Sequence, residues 1–402
     1  MKKILLLITL LAIINLKANA QTAYITNIGD NTISVIDVAT NTVIDTITVG
    51  TAPIGVAVSQ DGYKVYITNS DDNSVSVINT ATNNVSNIIP VGNSPWGVSD
   101  SPDGSKLYVT NFNSNTVSVI NNLTNTILDT IAVGTNPWGI SVNPDGSEVY
   151  VANNGTNTVS VINSFTNTVS SIITVGDYPI GISVSPDGSK VYVSNNGDSS
   201  VSVINTAADT VSATIKVGYS PVGLAMSPDG SKVYVSINGS NIVSVINTTT
   251  DTVSDTITVG TNPDGISVSP DGDKVYVVIH SSNSVSVINT ATNTVSSTII
   301  VGYSPIAFGN FISIYPEHAG LASLSTISSD ISVYPNPAND NILIESPQQS
   351  IIEISNIKGQ IIKRFKIKNS KINIDISDFL SGVYIIKATT VDGITTKKFI
   401  KE

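Results

Sequence analysis

The sequence predicts an all-β protein, a seven-bladed β-propeller followed by a small, immunoglobulin-like β-sandwich. Three observations predict it. A unit of 42 residues recurs seven times between residues 21 and 315, short Val/Ile/Thr/Tyr runs alternate with polar residues inside each unit, and residues 331–402 abandon the period. Such internal repeats are the first thing to look for in a chain, because a repeated unit buries its faces only against its neighbours.

The period shows on single residues. Tyrosine recurs at Tyr24, Tyr66, Tyr108, Tyr150, Tyr192, Tyr234 and Tyr276, and proline at Pro53, Pro95, Pro137, Pro179, Pro221, Pro263 and Pro305, with no insertion or deletion between them. Within the unit Pro179–Ser220 the first strand is GISVS, followed by an SPDG turn whose glycine supplies positive φ. KVYVS, VSVIN and VSATIKV follow as three further strands, separated by the polar NNGDSS loop and the TAADT turn. Alternating β-branched residues suit half-buried strands. Sheets set around an axis leave only short edges. The repeats open at a second strand, Ala23–Asn27, and the missing first strand reappears at Pro305–Ile314. The two ends are therefore expected to pair in one shared blade and remove two open edges.

Residues 1–20 carry Lys2 and Lys3, an apolar run and Ala18-Asn19-Ala20, the pattern of a cleaved secretory signal. The apolar run is too short for a membrane span, so no transmembrane segment is expected in the mature chain. The chain contains no cysteine, which excludes lipoprotein attachment, disulfides and thiolate metal sites. Residues 21–315 hold 6 lysines and no arginine against 21 acids. That balance offers no basic stripe, and nucleic acid is not an expected partner.

The second strands and their surroundings, Tyr108-Val109-Thr110-Asn111, Tyr66-Ile67-Thr68-Asn69 and SVINTATNTV from Ser76, resemble the YVTN family of surface-layer propeller repeats. The resemblance covers 21–315 and implies the fold more than an activity. The units around Tyr234 and Tyr276 depart from it, with Ile237 and Ile279 in place of the asparagine. Residues 316–330 read as a linker. Residues 331–402 are similar to the type A C-terminal sorting domain of the Bacteroidetes type IX secretion system. The likeness rests on Tyr334-Pro335-Asn336-Pro337, Gly359, Gly382, Tyr384, Gly393, Lys397 and Lys398 in order at the extreme C-terminus. It implies the secretion machinery as a partner, an extracellular or outer-membrane-surface location, and the small sandwich.

In a four-stranded meander, alternate turns share an end. The Asp-Gly turns at Asp61, Asp103, Asp145, Asp187, Asp229 and Asp271 repeat almost unchanged and read as turn formers, not metal ligands. The other end varies. The position after the repeated proline is Ile54, Trp96, Trp138, Ile180, Val222, Asp264 and Ile306, and nearby loops bring Phe112, Tyr178, Tyr219, Tyr303 and His280. An aromatic rim there would stack on a glycan or peptide ligand. The alternative is that Trp96 and Trp138 fill gaps between blades.

Asp100 breaks the symmetry of the inner strands, where Val58, Val142, Val184, Met226 and Val268 are its equivalents. A structural role with a hydroxyl or backbone partner is expected for it, and the alternative is that Asp264 or Asp100 orients a hydroxyl or amine of a ligand. No cofactor is implied, and no nucleophile elbow, metalloprotease helix or phosphate loop appears. The expected function is a non-enzymatic surface or secreted binding protein. The alternatives are a lyase or hydrolase acting on polysaccharide through Asp100, Asp264 and His280, and a purely structural coat protein. Asp-Thr-[Ile/Val] triplets at Asp45, Asp129, Asp209, Asp251 and Asp255 resemble Bacteroidetes O-glycosylation acceptors and equally belong to the repeat consensus.

Overall fold

A computed structural model describes residues 21–313 and 332–401, apart from 346–349, 357–360, 368–370 and 391–392. The expected signal at 1–20, the linker at 316–330 and Gly359 lie outside the described residues. The chain divides into two compact units between residues 319 and 320.

In the first unit, six antiparallel sheets have four strands in meander order, and a seventh has three, Thr22–Asn27, Thr32–Asp37 and Thr42–Thr48. A typical sheet runs Pro179–Val184, Lys190–Asn195, Ser200–Asn205 and Thr210–Lys216 from the axis outward. The two middle strands lie between neighbouring sheets and are buried almost throughout, with every repeat tyrosine at most 1% exposed. The outermost strand keeps a single buried side chain, Ile215, in an otherwise exposed or half-buried run. A bulge between Val203 and Ile204 separates it in register from its partner.

Several repeated residues form joints between blades. A Cβ on Gly139 would stand 2.3 Å from the Ile180 carbonyl oxygen of the next blade, so the residue after each Pro-X must be glycine where inner strands converge. The Thr110 hydroxyl accepts from Gly97 N–H and donates to the Trp138 carbonyl of the next blade, and Thr68, Ser194 and Ser236 repeat the arrangement.

Each repeat asparagine, such as Asn69, donates to hydroxyls five and seven residues on, Ser74 and Ser76, which pins the following loop. Where Ile237 and Ile279 replace it, that loop becomes a 3-10 turn, Asn238–Ser240 and His280–Ser282. Lysines after the Asp-Gly turns also reach forward. Lys64, Lys106 and Lys190 donate to the carbonyls of Asn122, Ser164 and Thr248. Lys274 donates to Val38, which carries the same joint across the ends of the ring.

The closing segment pairs as the ends of the repeat require, with bridges Asn27–Pro305 and Ala23–Ile312. Its regularity is nevertheless corrected by the structure. The equivalent pairs in the preceding blade are Ile279–Pro263 and Val275–Val268, so the closing strand carries two extra residues. The cause is visible at Ala307. This residue occupies the position glycine holds elsewhere, donating its N–H to the Thr26 hydroxyl, and adopts φ +42°. The chain then swings inward through Phe308 and Gly309, where φ is +110°. Phe308 and Asn310 carbonyls accept from Val56 and Val58 of the first inner strand.

The second unit has two sheets, one of Ser332–Tyr334, Asn341–Glu345 and Lys371–Asp375, the other of Ser350–Asn356, Ile361–Ile367, Gly382–Thr390 and Gly393–Lys401. Ile342 and Ile344 from the first share one core with Ile352, Ile354, Ile386 and Phe399 from the second. Asn336 joins the start of the unit to its last strand, donating to the Lys398 carbonyl and accepting from Ile400 N–H. Tyr384 donates to the Leu380 carbonyl and stacks on Phe399. Lys397 and Lys398 stand exposed on the last strand, which Gly393 opens.

Candidate functional site

The propeller axis has two different ends. At the end of the varied loops, Ile54, Ile180, Val222 and Phe308 form a buried apolar cluster against which Trp96, Trp138, Ile28 and Ile306 pack. The Trp96 and Trp138 rings meet edge to face at 4.0 Å, and Phe112 lies 5.3 and 5.7 Å from them. Trp138 also contacts Phe308 at 6.3 Å. The tryptophans are thus half-buried and plug the axis, the packing role that was the alternative to an open rim. The exposed aromatics of these loops are Tyr178, Tyr219 and Tyr303, with 58%, 68% and 61% of their surface open, while Tyr63 and Phe165 are exposed on turns of the other end. Each of the first three leans over a loop glycine, respectively Gly197, Gly239 and Gly29.

Beside the plug is a polar cluster. Asp264 accepts from Asn238 Nδ2 at 3.2 Å and lies 3.7 Å from His280 Nδ1. His280 Nδ1 also faces the Pro305 carbonyl at 3.2 Å, a position that Asn154 and Asn196 fill toward Pro179 and Pro221. Burial pushes the Asp264 carboxyl up to about 6, against the opposing pull of His280 and Asn238.

At the other end, where the Asp-Gly turns lie, a cavity of about 590 Å³ opens along the axis. Five prolines of the turns ring its mouth, Ser99, Ser141, Ser183 and Ser267 lie on its walls, and Gly309 and Asn310 reach into it. Phe308, Ile180 and Trp138 line a separate void of about 50 Å³. Sequence reasoning missed this cavity because its turns repeat. The signals were departures from the repeat, Asp100 on an inner strand and the decay after Pro305 that supplies the inserted Asn310.

Asp100 belongs to this end, and its company with Asp264 and His280, which the enzyme alternative required, is corrected. Asp264 occupies the second position of its inner strand and Asp100 the last position of another. Four residues of strand separate those levels by about 13 Å. Paired carboxylates that hydrolyse glycosides stand roughly 5–9.5 Å apart, so these two do not form such a pair.

Asp100 is 7% exposed and accepts from Gln60 N–H and Asn122 Nδ2. Burial pushes its carboxyl up to about 6, the two hydrogen bonds pull it down, and Asp61 and Asp103 add to the rise. A carboxyl raised in the folded state binds its proton more tightly there than in the unfolded chain. Its contribution to stability is therefore present in acid and lost as pH rises from about 4 through 6. Asp100→Val, which restores the residue of the other blades, should remove that slope. The variant should gain on the order of 1–2 kcal/mol at pH 7.5, after the loss of two hydrogen bonds, and little at pH 4.5. Urea unfolding of both proteins at the two pH values checks this, and an equal difference at both would contradict it.

The turn carboxylates behave as turn formers. The Ser185 and Ser227 hydroxyls, followed by the N–H groups of Ser189 and Ser231, hold Asp187 and Asp229 below the usual carboxylate range. Among the described residues no group of acids, histidines or cysteines is arranged to hold a metal. The threonines of three triplets, Thr46, Thr130 and Thr256, are exposed on outermost strands, their N–H groups bonded to Asp45, Asp129 and Asp255.

Comparison with known proteins places these features. Residues 332–402 match the secretion system C-terminal sorting domain. Residues 12–104 match the YNCE-like β-propeller, and 107–262 and 156–308 match the choice-of-anchor I domain. No curated protein matches the chain. Among solved structures, a Kuenenia stuttgartiensis hydrazine synthase chain is 24% identical with a TM-score of 0.62, covering 67% of this chain and 92% of that one. A functionally unknown protein from Desulfotomaculum acetoxidans DSM 771 is 18% identical with a TM-score of 0.63, covering 73% of this chain and all of that one. Both likenesses concern the fold alone.

Proposed function

We propose that this β-propeller protein, which ends in a type IX secretion sorting domain, works at the cell surface or outside the cell as a binding protein rather than an enzyme. The sorting domain implies export and contact with the secretion machinery. The observation that carries the binding reading is the placement of the two unusual carboxylates at opposite ends of the axis. It keeps these two from sharing a proton transfer through one water.

The face with Trp96, Trp138, Tyr178, Tyr219, Asp264 and His280 is the surface for a glycan or peptide partner. The tyrosines offer flat, exposed rings, the edges of the tryptophan plug form a central platform, and Asp264 supplies an acceptor for a hydroxyl or amine. A glycan and peptide array probed with the secreted protein tests this reading.

Because the tryptophans pack, alanine is the wrong probe. A Trp96→Ile, Trp138→Ile double variant installs the residue that Ile54 and Ile180 already place at that level. Binding to the array hit should fall at least tenfold, about 1.4 kcal/mol, with the melting temperature little changed. Undiminished binding of a folded variant would remove this face from the reading. Tyr178→Ala, at an exposed site, should weaken the same interaction without any change in stability.

A further inference from the structure

We propose that the cavity at the Asp-Gly end is a binding site for a primary alkylammonium group, seated on Asp100 with its hydrocarbon stem along the opposite wall. In a ring of near-identical blades, a position with no special duty keeps the consensus residue. Here the departures meet in one place. Gln60 stands where five other blades have Pro102, Pro144, Pro186, Pro228 and Pro270. Only a non-proline has an N–H to give, and Gln60 gives it to Asp100.

Asn122 stands where Thr80, Ser164, Thr206, Thr248 and Thr290 donate a hydroxyl to the turn glycine. Its longer amide keeps that bond to Gly104 and also reaches Asp100. Asn310, brought by the inserted residues of the closing strand, takes a bond from Ser267 at the same mouth. Gln60 and Asn122 hold one carboxylate in place at the lip of a cavity of about 590 Å³, a volume usual for small-molecule sites.

The chemistry of the guest follows from charge and shape. A carboxylate has about four lone-pair sites, and Asp100 has two bonds on it, so it can accept further donors. No lysine is among the groups acting on it, whose charged members are Asp61 and Asp103. Lys64 and Lys106, the nearest cations in sequence, are tied to carbonyls of the following blades. Six Asp-Gly turns ring the same end, so the field there favours a cation. Across the ring from Asp100, three and four blades on, the wall carries Met226 and Val268 at the same level, with Val184 beside them. A group with one positive head and a short aliphatic stem satisfies both walls, which a neutral alcohol or a compact metal ion does not.

The test uses the full secreted chain and n-butylammonium chloride as probe, with n-butanol as the uncharged match, followed by calorimetry and by chemical-shift changes. Butylammonium should bind at least tenfold tighter than butanol. Asp100→Asn should lower its affinity tenfold or more. Met226→Trp, which fills the funnel from the opposite wall and leaves Asp100 untouched, should also block it, so the proposal does not depend on one variant folding. Nα-acetyl-lysine amide in a parallel titration separates the sources. Tighter binding than butylammonium assigns the guest to a protein side chain, and weaker binding assigns it to a free amine. Equal binding of butanol and butylammonium, undiminished binding by Asp100→Asn, or no binding of either amine at about 50 mM, where even a complex worth only a few kcal/mol fills, overturns the proposal.

Discussion

Deleting residues 331–402 should reduce the extracellular propeller by tenfold or more while leaving its folded amount in the cell unchanged. The two halves of that expectation have separate physical grounds. The deleted segment has a core of its own, built from Ile342, Ile352, Ile386, Phe399 and their neighbours. Among the described residues the cluster at the seam of the ring runs from Ala23 to Ile312, and the ring is closed from within by the strand that pairs Pro305 with Asn27 and Ile312 with Ala23. The propeller's described cores are built from its own residues, and the deletion is expected to leave its fold intact. What it withdraws is the address, since the secretion-system sorting domain spans 332–402. Cell fractionation with detection of the propeller decides the matter, and limited proteolysis of the retained protein reports its folding. The retained protein is expected in the periplasm, protease-resistant. Unchanged delivery of the truncated chain to the surface would remove the sorting role, and a retained but protease-sensitive propeller would show that the two units fold together. The converse fusion, residues 331–402 placed after an unrelated passenger, should carry that passenger out.

The architecture was legible because the forces that make it act at fixed spacing. Tyrosines 42 residues apart are buried in the same way in every blade. The glycine after Pro-X, the threonine or serine of the second strand and the lysine after the turn could be recognised as repeated, and the coordinates give each its reason in a bond or a close approach between blades. The site was less legible because its chemistry lies in departures that share no spacing. Gln60, Asp100 and Asn122 are 40 and 22 residues apart, the meander of one blade bringing Asn122 to Asp100 and the ring bringing Gln60 from the blade before.

Asp100 was visible as an oddity, but which end of the axis it faced depended on counting along the strand. Pro95 opens that strand at one mouth and Asp100 ends it at the other. The tryptophans were visible as well, yet whether they were rim or plug depended on Phe308, displaced inward by an insertion that the even period of the preceding blades conceals. At Ala307 the sequence did carry the warning, since a side chain stands where six blades have glycine.

Phe311→Ala should be the most destabilising single change in the closing strand, costing about 3–5 kcal/mol. Phe311 is fully buried in the cluster that joins the two ends of the ring, among Tyr24, Ile25, Tyr276 and Val285. Its carbonyl takes the Tyr24 N–H at 2.9 Å, so the residue holds the seam by its backbone and fills it by its side chain. Truncation leaves a cavity at the one joint between blades where no covalent connection follows. A loss of that size is a large part of the 5–15 kcal/mol that usually separates folded from unfolded chains. It also frees the edge of Thr22–Asn27, whose N–H groups then lack the strand that satisfied them. Phe308→Ala is the matched control. That ring is three residues away, slightly exposed, and faces a void of about 50 Å³, so it has fewer close neighbours to lose.

The smaller variant should cost about half as much or less, because a site that already borders a void gives up less packing. Urea unfolding followed by tryptophan fluorescence compares them directly, since Trp96 and Trp138 are the two tryptophans of the chain and both lie in the propeller. The Phe311 variant should unfold at markedly lower urea and with a broadened transition as the seam opens ahead of the other blades, whereas the Phe308 variant should keep the parent's steepness. Equal midpoints for the two variants would mean that the seam between Pro305 and Ile312 is no weaker than any other joint in the ring, and that closure rests on the lysine and hydroxyl joints instead.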